Sequence, residues 1–312
     1  MTGPVAIVGA GLIGQSWAVA FARAGHPVAL HDRDPAQTAR ALEGLSGTIA
    51  DLAAQDLLGG HDARDVLARI RGANELDEAL DGVVHVQENA PEDVATKRAV
   101  FAALDAAAPP EAVIASSSSA LLPSAFTGDL AGAARCLVAH PLNPPHLVPA
   151  VEIVPGPRTA PDTLARTRAL MDGIGQSPIE TTREIEGFVM NRLQGALLDE
   201  AFALVDQGVA SPADIDAATR DGLARRWAVV GPFETIDLNA PGGVADYLDR
   251  YGPAYAEIGR HRPNRPAWSG VLRDRIVATG RSADDRAARA RWRDGRLAAL
   301  ARLFSTPQED AS

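Results

Sequence analysis

Short apolar runs alternate with segments that carry apolar residues at helical spacing through the first half of the chain. Residues 4–8 (PVAIV) form a run typical of buried parallel strands, and Trp17, Phe21 and Ala24 follow at helical spacing. Further short apolar runs stand at 27–30, 83–86, 112–115, 135–139 and 147–154. Residues 35–80 predict helices with polar faces. This order predicts an α/β fold with a mainly parallel sheet.

The pattern changes after residue 185, where apolar runs of strand type end. Residues 187–208 place apolar side chains at helical spacing, and Ser211 followed by Pro212 is a typical start of another helix. The sequence therefore predicts two domains, an α/β domain over 1–185 and an all-α domain over 186–312.

Three glycines follow the first predicted strand at the spacing G-x-G-x-x-G. Gly9 permits a tight turn, Gly11 lets backbone approach a pyrophosphate, and Gly14 lets the next helix pack closely on the strand. The N-terminus of that helix attracts an anion. These features predict a Rossmann-type domain that binds a dinucleotide.

An acidic residue at the end of the second predicted strand indicates which dinucleotide binds. The Asp32 carboxylate would accept hydrogen bonds from the adenosine ribose and repel the 2′-phosphate of NADP, which favours NAD. Arg33 is adjacent and could accept that phosphate, so NADP stays open as an alternative.

A histidine and a glutamate lie near the two ends of a proline-rich segment, HPLNPPHLVPAVEIV, residues 140–154. His140 follows an apolar run and so emerges at the carboxyl edge of the predicted sheet. Glu152 lies among apolar neighbours, where an unpaired carboxylate is costly, so His140 is its expected partner. Such a pair can act as a general base with its orienting acid. A structural pair fits the spacing as well, and His146 is a rival histidine without an evident orienting partner.

A cluster of serines follows the apolar run 112–115 at the same predicted edge of the sheet. Ser116–Ser119 suit either a turn that caps a helix or a ligand site. Composition alone does not separate the two.

Composition limits the classes of function. The formal net charge of −10 opposes nonspecific binding to nucleic acid or anionic lipid. Cys136 is the only cysteine, which excludes an internal disulfide and a thiolate metal cluster, and we expect no metal. The N-terminus has no basic lead and no run of about twenty apolar residues occurs, so we expect a cytoplasmic protein outside the membrane. Lys97 is the only lysine, a mild indication of a specific role.

Six segments stand in order between residue 4 and about residue 255: VAIVGAGLIGQSWA, QENAPEDVATK, ASSSSALLPS, AHPLNPPHLVPAVEIVP, EIEGFVMNRLQ and VGPFETIDLNA. Together they resemble the 3-hydroxyacyl-CoA dehydrogenase superfamily, and within it the branch of L-gulonate 3-dehydrogenase and lambda-crystallin. Beyond about residue 256, where the tail begins with HRPNRPAW, the sequence shows no such resemblance.

The resemblance implies a role for each matching residue. His140 is the expected catalytic base with Glu152 as its orienting acid. Ser119 and Asn191 are expected to donate hydrogen bonds to the substrate oxygen. The expected NAD-contacting positions are Leu12, Ile13, Asp32, Glu92 and Lys97. The family also implies a homodimer formed through the helical domain.

The implied activity is NAD-dependent oxidation of the 3-hydroxyl of a small hydroxy acid, with L-gulonate, oxidised to 3-dehydro-L-gulonate, as the first candidate. Arg226 is the candidate clamp for the substrate carboxylate, although a surface role fits it equally. Two alternatives stay open. One is oxidation of a 3-hydroxyacyl group bound to CoA or a carrier, and the other is a non-catalytic NAD-binding protein like lambda-crystallin in the lens.

Overall fold

The computed structural model describes residues 3–261 and 283–305, together with the single positions 271, 274 and 277. Most of the segment HRPNRPAW lies outside these residues. The chain divides into two compact units. The first unit contains the residues up to Asn191 and the last helix from Ala287 onward, and the second unit contains Arg192–Arg286.

One sheet of eight strands organises the described part of the first unit, in the order β3-β2-β1-β4-β5-β6-β7-β8. All neighbouring strands are parallel except β6 and β7, which are antiparallel. The strands are β1 (Val5–Val8), β2 (Val28–His31), β3 (Ile70–Ala73), β4 (His85–Glu88), β5 (Val113–Ser116), β6 (Cys136–Pro141), β7 (Ala150–Pro155) and β8 (Ser177–Glu180). The prediction of an α/β fold with a mainly parallel sheet is confirmed.

Two of these strands were not predicted. β3 reads IRGA and buries only its two end residues, while β8 reads SPIE and buries none. Both lie at the edges of the sheet, where a strand needs no continuous apolar run. The prediction of helices alone over 35–80 is therefore wrong at β3.

Helices cover both faces of the sheet. Trp17 and Phe21 of the first helix are fully buried, and Phe101 and Leu104 of the fifth are buried in a separate apolar cluster. The helices are α1 (Leu12–Arg23), α2 (Pro35–Ala53), α3 (Ala63–Ala68), α4 (Leu76–Leu80), α5 (Val94–Ala107), α6 (Ser124–Thr127) and α7 (Pro161–Gly173). Local chemistry sets their starts: Asp34, for example, caps α2 by accepting a hydrogen bond from the N–H of Ala36.

The second unit is helical, as the sequence predicted. Its helices are α8 (Met190–Asp206, which begins in the first unit), α9 (Pro212–Ala217), a π-helical segment (Ala218–Leu223), α10 (Ala224–Trp227), α11 (Pro232–Leu238) and α12 (Gly243–His261). Ser211 caps α9, where its hydroxyl accepts a hydrogen bond from the N–H of Asp214. No helix in the described part of the chain is long and apolar enough to cross a membrane.

The last helix, α13 (Ala283–Ser305), belongs to the first unit from Ala287 onward. Ala298 is buried in the core beside α1 and α2, and Leu297 and Ala301 pack against the same core. The expected division at 185/186, which assigns the whole tail to the helical domain, stays a prediction. Arginines recur along this helix, so the few apolar residues that dock it form no clear periodic pattern in the sequence.

Candidate active site

The glycine loop between β1 and α1 shows why each glycine is needed. Gly9 adopts a φ of 98°, and a Cβ at Gly14 would lie 1.9 Å from the Gly9 carbonyl oxygen, so α1 packs this closely only without a side chain there. Apart from its two chain neighbours, no residue in the described part of the chain has an atom within 4 Å of the place that a Cβ on Gly11 would occupy. It is also the N-cap of α1 and provides no side-chain cap. Open space beside uncapped N–H groups fits a pyrophosphate.

Asp32 lies directly after β2 and is fixed against this loop. Its Oδ2 accepts a hydrogen bond from the Ala10 N–H at 2.9 Å, and its Oδ1 accepts one from the Asp34 N–H at 3.0 Å. Both oxygens keep lone pairs for ribose hydroxyls. Leu12 is 75% exposed at the start of α1, whereas Ile13 packs against the core. The residues present therefore fit NAD.

Lys97 on α5 lies inside the protein. Its ammonium donates to both carboxylate oxygens of Glu88, at 2.9 and 2.8 Å, and to the Ala90 carbonyl at 2.9 Å. Those bonds use all three of its protons, and the residue is only 1% exposed. Lys97 thus anchors the loop that links β4 to α5. Its expected contact with NAD stays a prediction.

His140 and Glu152 face each other because β6 and β7 run antiparallel with these two residues in register. The Nδ1–H of His140 donates to Glu152 Oε2 at 2.7 Å, and both side chains are almost fully buried. With its proton on Nδ1, the imidazole keeps Nε2 as an acceptor. The predicted pairing is therefore present, and its geometry is that of a base with an orienting acid.

The second oxygen of Glu152 is held by the start of α8. Its Oε1 accepts hydrogen bonds from the N–H groups of Val189 and Met190, at 2.6 and 2.9 Å. Burial would raise the pKa of the Glu152 carboxyl, but the hydrogen bonds from His140, Met190 and Val189 outweigh it and lower the pKa. Glu152 is therefore a carboxylate at neutral pH. The two backbone donors left no signal in the sequence, because they reach Glu152 only through the fold.

Ser119 lies in the loop after β5 and is bonded to Glu92. The Glu92 carboxylate accepts hydrogen bonds from the Ser119 hydroxyl at 2.5 Å and from the N–H groups of Ser119 and Ala120, both at 2.7 Å. Burial works to raise the Glu92 pKa, but these bonds and that from Ser118 lower it to about 2. Glu92 thus faces the serine loop, and its expected contact with NAD stays a prediction. Its bond to Ser119 is a feature that sequence reasoning missed.

Asn191 connects the two parts of the site. Its side-chain amide donates to the Ser119 carbonyl at 2.6 Å, and it directly follows the backbone groups that bind Glu152. The four residues expected to be catalytic are thus connected. His140 bonds Glu152, and Glu152 bonds the backbone directly before Asn191. Asn191 in turn bonds the Ser119 carbonyl. Arg226, the candidate substrate clamp, is an exposed residue of α10 in the second unit, and its role stays a prediction.

His146, the rival histidine, lies beside a separate cavity. This cavity of about 590 Å³ is bordered by Leu12 and Ser16 of α1, by the segment from Asn143 to Leu147, and by Arg291 of α13. Burial, and then the nearby Arg23 guanidinium, lower the His146 pKa to about 4. Its Nδ1 is buried and has no hydrogen-bond partner among the residues that are described. Among the residues that the structure describes, no carboxylate forms a hydrogen bond with this ring, so His146 lacks the orienting partner that His140 has.

Comparison with known proteins places these features in a family. The NAD-binding domain of 3-hydroxyacyl-CoA dehydrogenase matches residues 4–185, and the C-terminal domain of that family matches residues 187–271. The chain is 46% identical to a lambda-crystallin homolog of Bos taurus over 307 residues, which are 96% of this chain and 95% of the relative. That match reaches far into the tail beyond residue 256, so the expectation that the tail departs from the family is wrong.

Two further relatives carry catalytic names. An L-carnitine dehydrogenase of Streptomyces griseus is 38% identical over 292 residues, which cover 90% of this chain and 83% of that enzyme. The crystal structure of an NAD⁺-dependent dismutase, 5-formyl-3-hydroxy-2-methylpyridine 4-carboxylic acid 5-dehydrogenase, matches with a TM-score of 0.86 at 28% identity, covering 99% of this chain and all of the other. With a family model over both parts of the chain, these matches show that the protein is an NAD-dependent oxidoreductase of the 3-hydroxyacyl-CoA dehydrogenase family.

Proposed function

We propose that the protein oxidises the 3-hydroxyl of a small hydroxy acid, with L-gulonate as the first substrate to test and His140 as the general base. The observation that carries the proposal is the buried His140–Glu152 pair, with 2.7 Å between Nδ1 and Oε2. A secondary alcohol is a poor hydride donor until its proton departs, so the site needs a base at that proton.

His140 is suited to this step by its tautomer. Because Nδ1–H is donated to Glu152, Nε2 takes the hydroxyl proton, and the adjacent carboxylate stabilises the imidazolium that forms. NAD, when bound, supplies the acceptor for the hydride. Ser119 and Asn191 would hydrogen-bond the substrate oxygen as its negative charge develops.

The choice of substrate rests on the relatives. One is named for L-carnitine, a small 3-hydroxy acid, and others are lambda-crystallin homologs of the branch that the sequence resembles. The family model bears the name of an acyl-CoA activity, which supports a 3-hydroxyacyl thioester as the second candidate. Arg226 is the proposed clamp for the carboxylate of an acid substrate.

NADH formation with L-gulonate, 3-hydroxybutyrate, L-carnitine and 3-hydroxybutyryl-CoA tests the proposal. We expect a free acid to give the highest kcat/KM. Selective saturation by the thioester would favour the second candidate. Tight NAD binding without turnover of any 3-hydroxy compound would support the non-catalytic alternative.

His140→Ala tests the base itself. We expect this variant to keep its NAD affinity and to lose a factor on the order of 10²–10⁴ in kcat. His61→Ala, at an exposed histidine between α2 and α3, is the matched control and should retain wild-type turnover. Unchanged turnover in His140→Ala would remove this residue from its role.

We also propose a homodimer formed through the helical unit. Several large apolar side chains are exposed there, among them Leu193, Val209 and Phe233 at 65%, 66% and 80%. Contiguous exposed apolar surface marks an interaction site.

A further inference from the structure

The cavity beside His146 lies within the first unit and is lined mainly by polar side chains. Its walls come from α1, α2, the segment that follows β6, and α13. Leu12 on its border is an expected NAD-contacting position, and Asn143 on its border lies three residues after His140. The cavity therefore shares its walls with the elements that carry the cofactor loop and the expected base.

Several polar groups on these walls have no hydrogen-bond partner among the described residues. Nδ1 of His146 is buried without one, and the Ser16 hydroxyl has none although Ser16 is only 7% exposed. The Thr48 hydroxyl and the Arg291 guanidinium also border the cavity and form no hydrogen bond within the described part of the chain. Buried polar groups are normally hydrogen-bonded, so these groups suit contact with a polar ligand.

The polar groups around the cavity include both donors and acceptors. The Arg291 guanidinium can only donate, the Asp51 carboxylate can only accept, and the hydroxyls of Ser16 and Thr48 can do both. A ligand hydroxyl likewise donates one hydrogen bond and accepts two. Hydroxyl groups are therefore the ligand groups that match this mixture.

The charges around the cavity balance. Its charged lining residues are Arg291, Arg293, Asp51 and Asp294, and Arg293 Nη2 is paired with Asp294 Oδ1 at 2.7 Å. His146 is uncharged at neutral pH, because burial lowers its pKa to about 4. No phenylalanine, tyrosine or tryptophan is among the described residues that line the cavity. These walls therefore favour neither a polyanion such as the phosphates of CoA nor a quaternary ammonium group.

One wall of the cavity is formed by α13, which is anchored on both sides of the lining residues' turn of helix. Ala298 is buried in the core at 2% exposure, and Arg302 forms an ion pair with Asp56 at 3.2 Å. This helix begins at Ala283, whereas the match to the C-terminal domain of the acyl-CoA family ends at residue 271. The α13 wall is therefore an addition of this chain to the matched family domains.

We propose that this cavity is a subsite for the hydroxylated end of a polyhydroxylated acid, and that Thr48 and Arg291 determine this specificity. The inference deepens the proposed function and rests on it, because the acid must place its 3-hydroxyl at His140. It predicts that L-gulonate, which has hydroxyl groups beyond C3, is favoured over 3-hydroxybutyrate, which ends in a methyl group.

The variants Thr48→Val and Arg291→Met test the subsite by steady-state kinetics. Thr48→Val removes the hydroxyl and keeps the shape of the side chain, so it leaves the packing of α2 in place. We expect each variant to lower kcat/KM for L-gulonate about tenfold and to keep kcat/KM for 3-hydroxybutyrate within about twofold. An equal loss with both acids, or no loss with L-gulonate, would overturn the proposal.

Ser46→Ala and Arg296→Met are the matched controls. Both residues are exposed on the same two helices, α2 and α13, and neither lines the cavity. We expect wild-type kcat/KM with both acids. If the controls reduce kcat/KM for L-gulonate as much as Thr48→Val and Arg291→Met do, the helices act through the fold as a whole, and the proposal is wrong.

Binding to His140→Ala separates the subsite from the proposed function, because this variant lacks the expected base. In calorimetric titrations with NAD present, we expect L-gulonate to bind at least about tenfold more tightly than 3-hydroxybutyrate. Adding Arg291→Met should remove most of that difference. If this pattern is found but the wild type oxidises neither acid, the proposed function fails and the subsite is supported. Equal affinities for the two acids overturn the subsite, even where the wild type oxidises both.

Discussion

At Glu152, burial and hydrogen bonding act on the carboxyl pKa in opposite directions, and the hydrogen bonds prevail. The carboxylate has donors on both oxygens, His140 on one and two backbone N–H groups on the other. The fold therefore stabilises the charged, deprotonated form of Glu152. A glutamine here would place its amide NH₂ group, which only donates, against one of these N–H donors.

We predict that Glu152→Gln lowers kcat by a factor on the order of 10² while leaving NAD affinity unchanged, because His140 loses the group that fixes its tautomer and stabilises its charge. Steady-state kinetics and NAD titration measure both quantities. Glu180→Gln on the adjacent strand β8 is the control, since Glu180 is exposed. A variant with wild-type kcat would show that the carboxylate only fills space.

The same substitution changes the dependence of stability on pH. A carboxyl whose folded pKa lies below its usual value of 4.5 stabilises the fold above that pH, and this contribution is lost as the pH falls towards the folded pKa. Chemical denaturation of wild type and Glu152→Gln across this acid range should show a shallower loss of unfolding free energy in the variant.

The sequence could predict the pairing of His140 with Glu152, because one lies at a strand end and the other inside an apolar strand. It could not identify Val189 and Met190 as donors, since backbone groups have no residue signature. The bond between Glu92 and Ser119 could not be predicted either, because α5 and β5 separate the two residues in the chain. Bonds of that kind depend on how the β4–α5 and β5–α6 loops meet.

At the scale of the elements, the β1–α1 unit contains glycines that are needed for two different reasons, close packing and ligand binding. Gly14 is required by packing, since a Cβ there would meet the Gly9 carbonyl oxygen at 1.9 Å. Gly11 has a φ of −71°, which any residue adopts, and open space around it. A bound ligand, and not the fold, therefore explains why a glycine stands at position 11.

We predict that Gly14→Ala destabilises the protein by about 1–3 kcal/mol because α1 must move away from the loop. Gly11→Ala should keep the wild-type melting temperature but weaken NAD binding about tenfold, since the methyl group occupies the pyrophosphate space. Thermal unfolding and NAD titration of both variants check this contrast. Wild-type NAD affinity in Gly11→Ala would place the pyrophosphate elsewhere.

The β4–α5 unit depends on a buried ion pair. Lys97 and Glu88 have side chains that are 2% and 0% exposed. Removal of one partner leaves an uncompensated charge, whereas removal of both does not. We predict that Lys97→Met costs about 3–5 kcal/mol in urea unfolding and that Glu88→Gln with Lys97→Met recovers part of the loss.

Arg98→Met provides the control for this prediction. Arg98 is the next residue of α5 and is exposed, so its loss should cost less than about 1 kcal/mol. A double variant less stable than Lys97→Met would show that the pair does not behave as coupled charges.

At the scale of the whole molecule, the sequence predicted an α/β part followed by a helical part but not the path of the tail. The docking of α13 rests on Leu297, Ala298 and Ala301 within a helix rich in arginine. Three small or medium apolar residues give little periodic signal. Their burial depends on the surface already built by α1 and α2.

The described part of the second unit buries little apolar surface of its own. Among its described residues, the apolar side chains classed as buried are Ala203, Val205 and Ala240. Along α12, by contrast, an exposed stripe recurs at alternating steps of four and three residues: Val244, Leu248, Tyr251, Tyr255 and Ile258. That spacing is typical of a helix face that packs against another helix.

We predict that this stripe lies in the dimer interface and that sedimentation equilibrium gives a mass near twice 32.6 kDa. Leu248→Asp places a charge in the stripe, where Leu248 is 54% exposed, and should shift the protein towards monomer because an unpaired charge resists burial. Ala256→Asp adds the same charge to an exposed position of α12 outside the stripe and should leave the mass unchanged. If Leu248→Asp also sediments at the wild-type mass, the stripe is not the interface. If both variants dissociate, the added charge acts through the helix as a whole and not through this face.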